Sequence, residues 1–181
     1  SLQAEATKYI LPNGGTIVGD AKHPFDTKDF SSDILKAQSS RAELIALATP
    51  TFHAATIIKQ AAEFGFKTDK TKRLAPFGML MSDVKAVGLD LTQGLFITEP
   101  FYWDQTEATR AFSKRFQAKY GKMPNSLQAS VYGAVTHYLK AVKSANSDKT
   151  EDVLKAMRDA PVNDFMTKDG VVRPDGRMVR D

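Results

Sequence analysis

The hydrophobic period of this chain changes once, at Glu99-Pro100. Before that point short apolar or β-branched runs alternate with stretches of helical spacing; after it, one amphipathic helix follows another. The alternating half restricts the fold to a mainly parallel sheet with helices on its faces. Its central element is Leu44-Ile45-Ala46-Leu47-Ala48, a continuous apolar run between Glu43 and Pro50 that suits a strand covered on both sides. A helix over 52–64 follows, with Ala54, Ile57, Ile58, Ala61 and Phe64 on one face and Gly65 closing it. Further strands are predicted at 16–21, at 74–79, where Pro76 suits an edge or a strand end, and at 94–98. Helices are predicted at 3–11, at 30–39 with Asp29 or Ser31 as N-cap, and at 83–87.

Beyond Pro100 the expected elements are helical. Asp104-Gln105-Thr106-Glu107 reads as a capping box, opening a helix that runs to Tyr120 and stops at Gly121. Leu127, Val131, Val135, Tyr138, Leu139 and Val142 mark a long helix with a wide apolar stripe. A second capping box over 148–151 opens a helix containing Val153, Leu154 and Met157. Residues 170–179 read as a hairpin turned by Pro174-Asp175-Gly176. The fold class is therefore α/β, a parallel sheet with flanking helices followed by a helical segment. The divisions fall at 1–100, 101–160 and 161–181.

Composition excludes several functions. Apolar residues make up 42% and charged residues 25%, which argues against wholesale disorder. The net charge of +4 is spread along the chain without an Arg/Lys stripe interleaved with aromatics, so nucleic acid is not an expected partner. The absence of cysteine removes disulfides, thiolate nucleophiles and Cys-based zinc sites, and leaves the compartment open. The longest apolar runs fall far below the ~18 residues of a membrane helix. Ser1 follows no visible leader, and a piece of something longer is expected.

Catalytic motifs are missing as well: no G-x-S-x-G, phosphate-loop, G-x-G-x-x-G or H-E-x-x-H pattern occurs. His23, His53 and His137 are isolated in sequence and are expected in surface or capping roles. Lys67, Lys70, Lys72 and Arg73 read as a solvated turn rather than a phosphate site. No catalytic residue, metal or cofactor is expected. A small α/β enzyme stays open as an alternative.

Ligands of parallel α/β sheets bind outside the carboxyl ends of strands, where loops meet helix N-termini. Three such loops can be named: Thr49, Pro50, Thr51, Phe52 and His53; then 77–83, with Phe77, Gly78 and Asp83; then Phe101, Tyr102 and Trp103, with Asp104 after them. Aromatics beside hydroxyls and amides make up a small-molecule pocket. The same rings could instead fill the core below the loops.

Several segments taken together resemble a known family. They are Asp29-Phe30-Ser31-Ser32-Asp33-Ile34-Leu35-Lys36-Ala37-Gln38, Ile58-Lys59-Gln60-Ala61-Ala62-Glu63-Phe64-Gly65, and Gly94-Leu95-Phe96-Ile97-Thr98-Glu99-Pro100-Phe101-Tyr102-Trp103. With 112–120, 132–141 and 161–176 they resemble, in order and spacing, the solute-binding proteins of branched-chain amino-acid-type ABC transporters. These are periplasmic binding proteins of type I, like the Leu/Ile/Val-binding protein. The resemblance implies a two-lobed receptor, periplasmic or extracellular, that closes on a small-molecule ligand and delivers it to a membrane permease. It implies that 1–100 belong to the second lobe, that the chain crosses near Glu99–Trp103, that 101–160 are helices of the first lobe, and that 161–181 form a hairpin and crossing segment. Roughly the first third of a family member and its final strands would then be absent.

One departure bears on the ligand. Family members that bind α-amino acids place an acid near the end of the strand corresponding to 74–77, where it pairs with the ligand ammonium; here Phe77 stands there, and Asp83 is the nearest acid. An ammonium without a carboxylate is poorly compensated in a water-poor cleft. The expected ligand is a small organic molecule, an amino acid or, favoured by this departure, an aromatic or otherwise apolar carboxylate, with ring stacking on the loop aromatics and helix-start N–H groups near Thr51 or Ser82 for the anion. A ligand-sensing domain of a receptor or regulator would fit the same lobe. Self-association through exposed helix faces is expected of the chain alone.

Overall fold

The apolar run forms a strand, β1 (Leu44–Leu47), and the helical pattern after it forms α3 (Thr51–Glu63). A computed structural model describes residues 2–66 and 69–180 of the chain. They divide into two units, Ser1–Thr98 and Glu99–Asp181.

In the first unit α1 (Leu2–Ile10) and a 3-10 turn (Leu11–Asn13) end at Gly14, whose left-handed φ of 80° a side chain would resist. α2 (Ser31–Ser39) follows; Asp29 accepts from the Ser31 N–H at 2.9 Å and from its hydroxyl, which holds the Asp29 carboxyl below the usual carboxylate range. β2 (Arg73–Pro76) pairs parallel with β1, Leu44 opposite Arg73 through Leu47 opposite Pro76. Short helices α4 (Met81–Val87) and α5 (Leu89–Thr92) complete the unit. α3 turns Ala54, Ile57, Ile58 and Ala61 onto Phe30 and Ile34 from α2 and its approach, Leu47 from β1, and Met79 and Val87. The βα order and the parallel register agree with the sequence expectation.

Two expected strands do not form. Residues 16–21 are exposed and have no strand partner among the described residues, so their backbone groups are left to water. Residues 94–98 fail for a more specific reason. Arg73 and Phe77 donate their N–H groups towards the β1 side, to Glu43 and Leu47 carbonyls at 2.8 and 3.2 Å, so Leu74 and Pro76 face the other way. There the Leu74 carbonyl accepts from Phe96 N–H at 3.2 Å. The next bond of a parallel ladder would come from the nitrogen of Pro76, which carries no hydrogen. The pairing stops at one bond, and Leu95 and Ile97 pack on the core as an irregular segment.

In the second unit α6 (Glu107–Tyr120), α7 (Ser126–Ala145) and α8 (Thr150–Asp159) precede a hairpin of β3 (Val171–Val172) and β4 (Met178–Val179). Gly121 caps α6 at φ 70°, as expected. Neither expected capping box sits where the sequence placed it. Thr106, not Asp104, caps α6, accepting from Thr109 N–H at 3.1 Å, while Asp104 pairs with Arg110 at 3.0 Å. α8 starts after Lys149 without a side-chain cap, and Ser147 donates instead to Asp152 at 2.7 Å. Asn125 supplies the α7 cap. The core of this unit is Phe101, Phe112 and Ala129 with Trp103, Phe116, Phe165 and Met166 around them.

Candidate functional site

The first two loops come together because their strands do. Phe77 N–H reaches the Leu47 carbonyl, and one turn on the Thr51 hydroxyl donates to the Gly78 carbonyl at 2.6 Å. A Cβ at Gly78 would stand 3.2 Å from the Thr49 carbonyl, so glycine lets the loops close this tightly. Pro50 and Phe52 are exposed, Phe77 is 39% exposed, and Thr51 is half-buried. Asp83 lies on the first turn of α4, where its carboxylate accepts from the Leu80 N–H at 2.8 Å. The only acid of these two loops is therefore engaged with its own helix start.

Thr49 and His53 point inward. Both are buried, and the Thr49 hydroxyl lies 3.2 Å from His53 Nδ1 and 3.1 Å from His23 Nε2. With its single hydrogen the hydroxyl can donate to only one of the two imidazoles, so at least one ring donates to it. The expectation of surface or capping roles for the histidines is corrected for His53, while His23 is half-buried and His137 bonds a carbonyl in the last turn of α8. His53 is a core residue of α3, and His137 is buried on α7, donating from Nε2 to the Met157 carbonyl at 2.9 Å.

In the second unit Phe101 is 2% exposed, edge-on to Phe112 and Phe165 at 6.1 and 5.9 Å; it serves the core. Tyr102 stands at the surface and Trp103 is half-buried beside it, ring centroids 5.5 Å apart. The basic turn is occupied structurally. Lys72 Nζ donates to the Ser40 and Ala42 carbonyls at 2.8 and 3.0 Å, and Arg73 to the Lys70 and Lys72 carbonyls. Lys67 lies outside the described residues. Among the described residues no group of three His, Cys, Asp or Glu side chains could hold a metal ion, and no helix is long and apolar enough to cross a membrane.

Sequence patterns do not place His23 and Phe25 near these loops, because both fall between the strand expected at 16–21 and the helix expected at 30–39. The Phe25 ring is 5.3 Å from Phe52 and 5.8 Å from His53, and His23 is 4.8 Å from Phe30. The available signal was His-Pro-Phe in an otherwise polar stretch, which does not identify a partner by itself.

The family model described as periplasmic binding protein matches residues 1–181, the whole chain. The chain belongs to the periplasmic binding protein family. Its fold agrees: a solved periplasmic binding protein from Burkholderia mallei is 41% identical, with TM-score 0.90, covering 99% of this chain and 47% of that one. The leucine-, isoleucine-, valine-, threonine-, and alanine-binding protein of Pseudomonas aeruginosa is 24% identical over 79% of this chain and 37% of its own length. An ABC-transporter solute-binding protein from R. palustris, solved with benzoate, shares the fold at TM-score 0.83 and 19% identity, covering 98% of this chain and 49% of that one. This periplasmic binding protein chain thus spans about half the length, or less, of the relatives it matches.

Proposed function

We propose that this chain is part of a non-enzymatic solute-binding receptor of an ABC importer, working in the periplasm and handing its ligand to a membrane permease. Its ligand is a small aromatic or otherwise apolar carboxylate. The first unit supplies the second-lobe wall of the ligand cleft through Pro50, Thr51, Phe52, Phe77 and Gly78, and Glu99–Asp181 belongs to the first lobe, with Tyr102 and Trp103 near the crossing. The observation that carries this reading is the junction of the β1 and β2 loops. It presents exposed phenyl rings, while its one carboxylate, Asp83, is held by the Leu80 N–H. A ligand ammonium would find there only a carboxylate already accepting from a helix-start N–H, whereas an apolar ring finds two phenyls.

Calorimetry on the full-length parent protein tests it. Benzoate is expected to bind and leucine to bind at least tenfold more weakly, about 1.4 kcal/mol; leucine binding as well as or better than benzoate would overturn the ligand class. The 181-residue chain alone should bind benzoate at least tenfold more weakly than its parent, because it offers one wall of a cleft that closes from both sides.

A further inference from the structure

Phe25 is 74% exposed, yet its ring is held in a defined setting. It meets Phe52 at 78° with centroids 5.3 Å apart, and Phe52 meets His53 at 4.4 Å and 64°. His53 in turn meets Phe30 at 5.3 Å and His23 at 5.2 Å. Five rings thus run from the buried Phe30 to two phenyls at the surface, Phe52 being 52% exposed. Edge-to-face packing of this kind is favourable beyond the area it buries, and it fixes ring orientation.

The segment carrying Phe25 has no helix or strand of its own. Polar attachments at both ends hold it. On one side His23 Nε2 bonds the Thr49 hydroxyl, which also bonds His53. On the other, Gln60 donates from Nε2 to the Lys28 carbonyl at 3.1 Å and accepts at Oε1 from Phe30 N–H at 2.9 Å. Thr49 and His53 are buried, so the His23 attachment is sheltered from competing water. An irregular segment anchored in this way to present a phenyl to solvent, beside the candidate loops, calls for a reason other than core packing.

We propose that Phe25 and Phe52 form an aromatic lip beside the β1–α3 loop that stacks on the planar ring of the ligand, with His23 as the positioning residue that holds the lip in place. The proposal rests on the aromatic-carboxylate reading above. Two phenyls set almost at right angles offer a planar guest a face and an edge together. A saturated ring of the same size has no quadrupole to use them.

The test is titration calorimetry on the full-length parent protein with benzoate and cyclohexanecarboxylate, which share the carboxylate and differ in the ring. Wild type should prefer benzoate. Phe25→Leu and Phe52→Leu should each weaken benzoate about tenfold while changing cyclohexanecarboxylate less than about threefold. His23→Ala should reproduce the selective loss, and His23→Gln, whose amide can still reach Thr49, should restore most of it. Thermal melts check that each variant folds. Wild-type benzoate affinity in Phe25→Leu and Phe52→Leu, or equal losses for the two acids, would overturn the lip and leave the ligand class standing. A wild type that binds neither acid would overturn the ligand class and the lip with it.

Discussion

Gly133 shows how one missing side chain sets a local structure. It lies buried inside α7, where an added Cβ would stand 2.6 Å from Asp164 Oδ2. That carboxylate is not free to swing away, because its other oxygen accepts from Met166 and Thr167 N–H groups at 2.8 and 2.7 Å. Alanine would gain about 1 kcal/mol of helix propensity. Against this stand two hydrogen bonds to a charged group, each contributing about 1.5–3 kcal/mol. The clash wins: Gly133→Ala is expected to destabilise the chain by about 1–3 kcal/mol, read as a lower midpoint in urea denaturation. An unchanged or raised midpoint would mean that the Asp164 turn moves aside without loss. Thr49 is a second case. Its hydroxyl is taken by two imidazoles, so it stands behind the candidate loops as a support.

At the scale of elements, helix starts separate pattern from geometry. Asp104 and Thr106 both suit an N-cap by residue type, yet only the Thr106 hydroxyl receives the Thr109 N–H. Thr106→Ala should therefore lower stability by about 1 kcal/mol, and Asp104→Ala, which breaks an exposed ion pair with Arg110, by 0 to about 1 kcal/mol. Thermal melts of the two variants side by side decide it; the reverse order would return the cap to Asp104. The wider lesson is the same. β1, α3, α6, α7 and the hairpin were legible because each is specified by its own period and by a glycine or turn residue at its end. The strand expected at 94–98 was not, because its failure depends on a hydrogen that Pro76 lacks, and this matters only once β2 has chosen which way to face. The meeting of Thr51 with Gly78 followed from the strand order. The His23–Thr49–His53 chain did not, since it joins residues 26 positions apart through side chains that no period relates.

On the scale of the whole molecule, α7 carries an unmatched face. Leu127, Val131, Val135 and Leu139, four residues apart along one side, are 64%, 63%, 50% and 57% exposed, and an apolar stripe of this kind recruits a partner or promotes association. The 181-residue chain on its own is expected to self-associate reversibly through it. Sedimentation equilibrium should show a concentration-dependent rise in mass that the double variant Val131→Glu, Leu139→Lys abolishes. A wild type that stays at 19.9 kDa at every concentration would refute this. Another feature of the second unit has a different kind of consequence. Arg180, just past β4, donates to the Pro100 carbonyl at 2.5 Å, and to the Met166 carbonyl and the Thr167 hydroxyl at 3.1 and 2.8 Å. Pro100 and Arg180, 80 positions apart, therefore lie side by side. The stretch between them is tied at its base like a loop closed by a clasp. Insertions in its outlying turns, such as the one at Gly121, are expected to leave that clasp where it is.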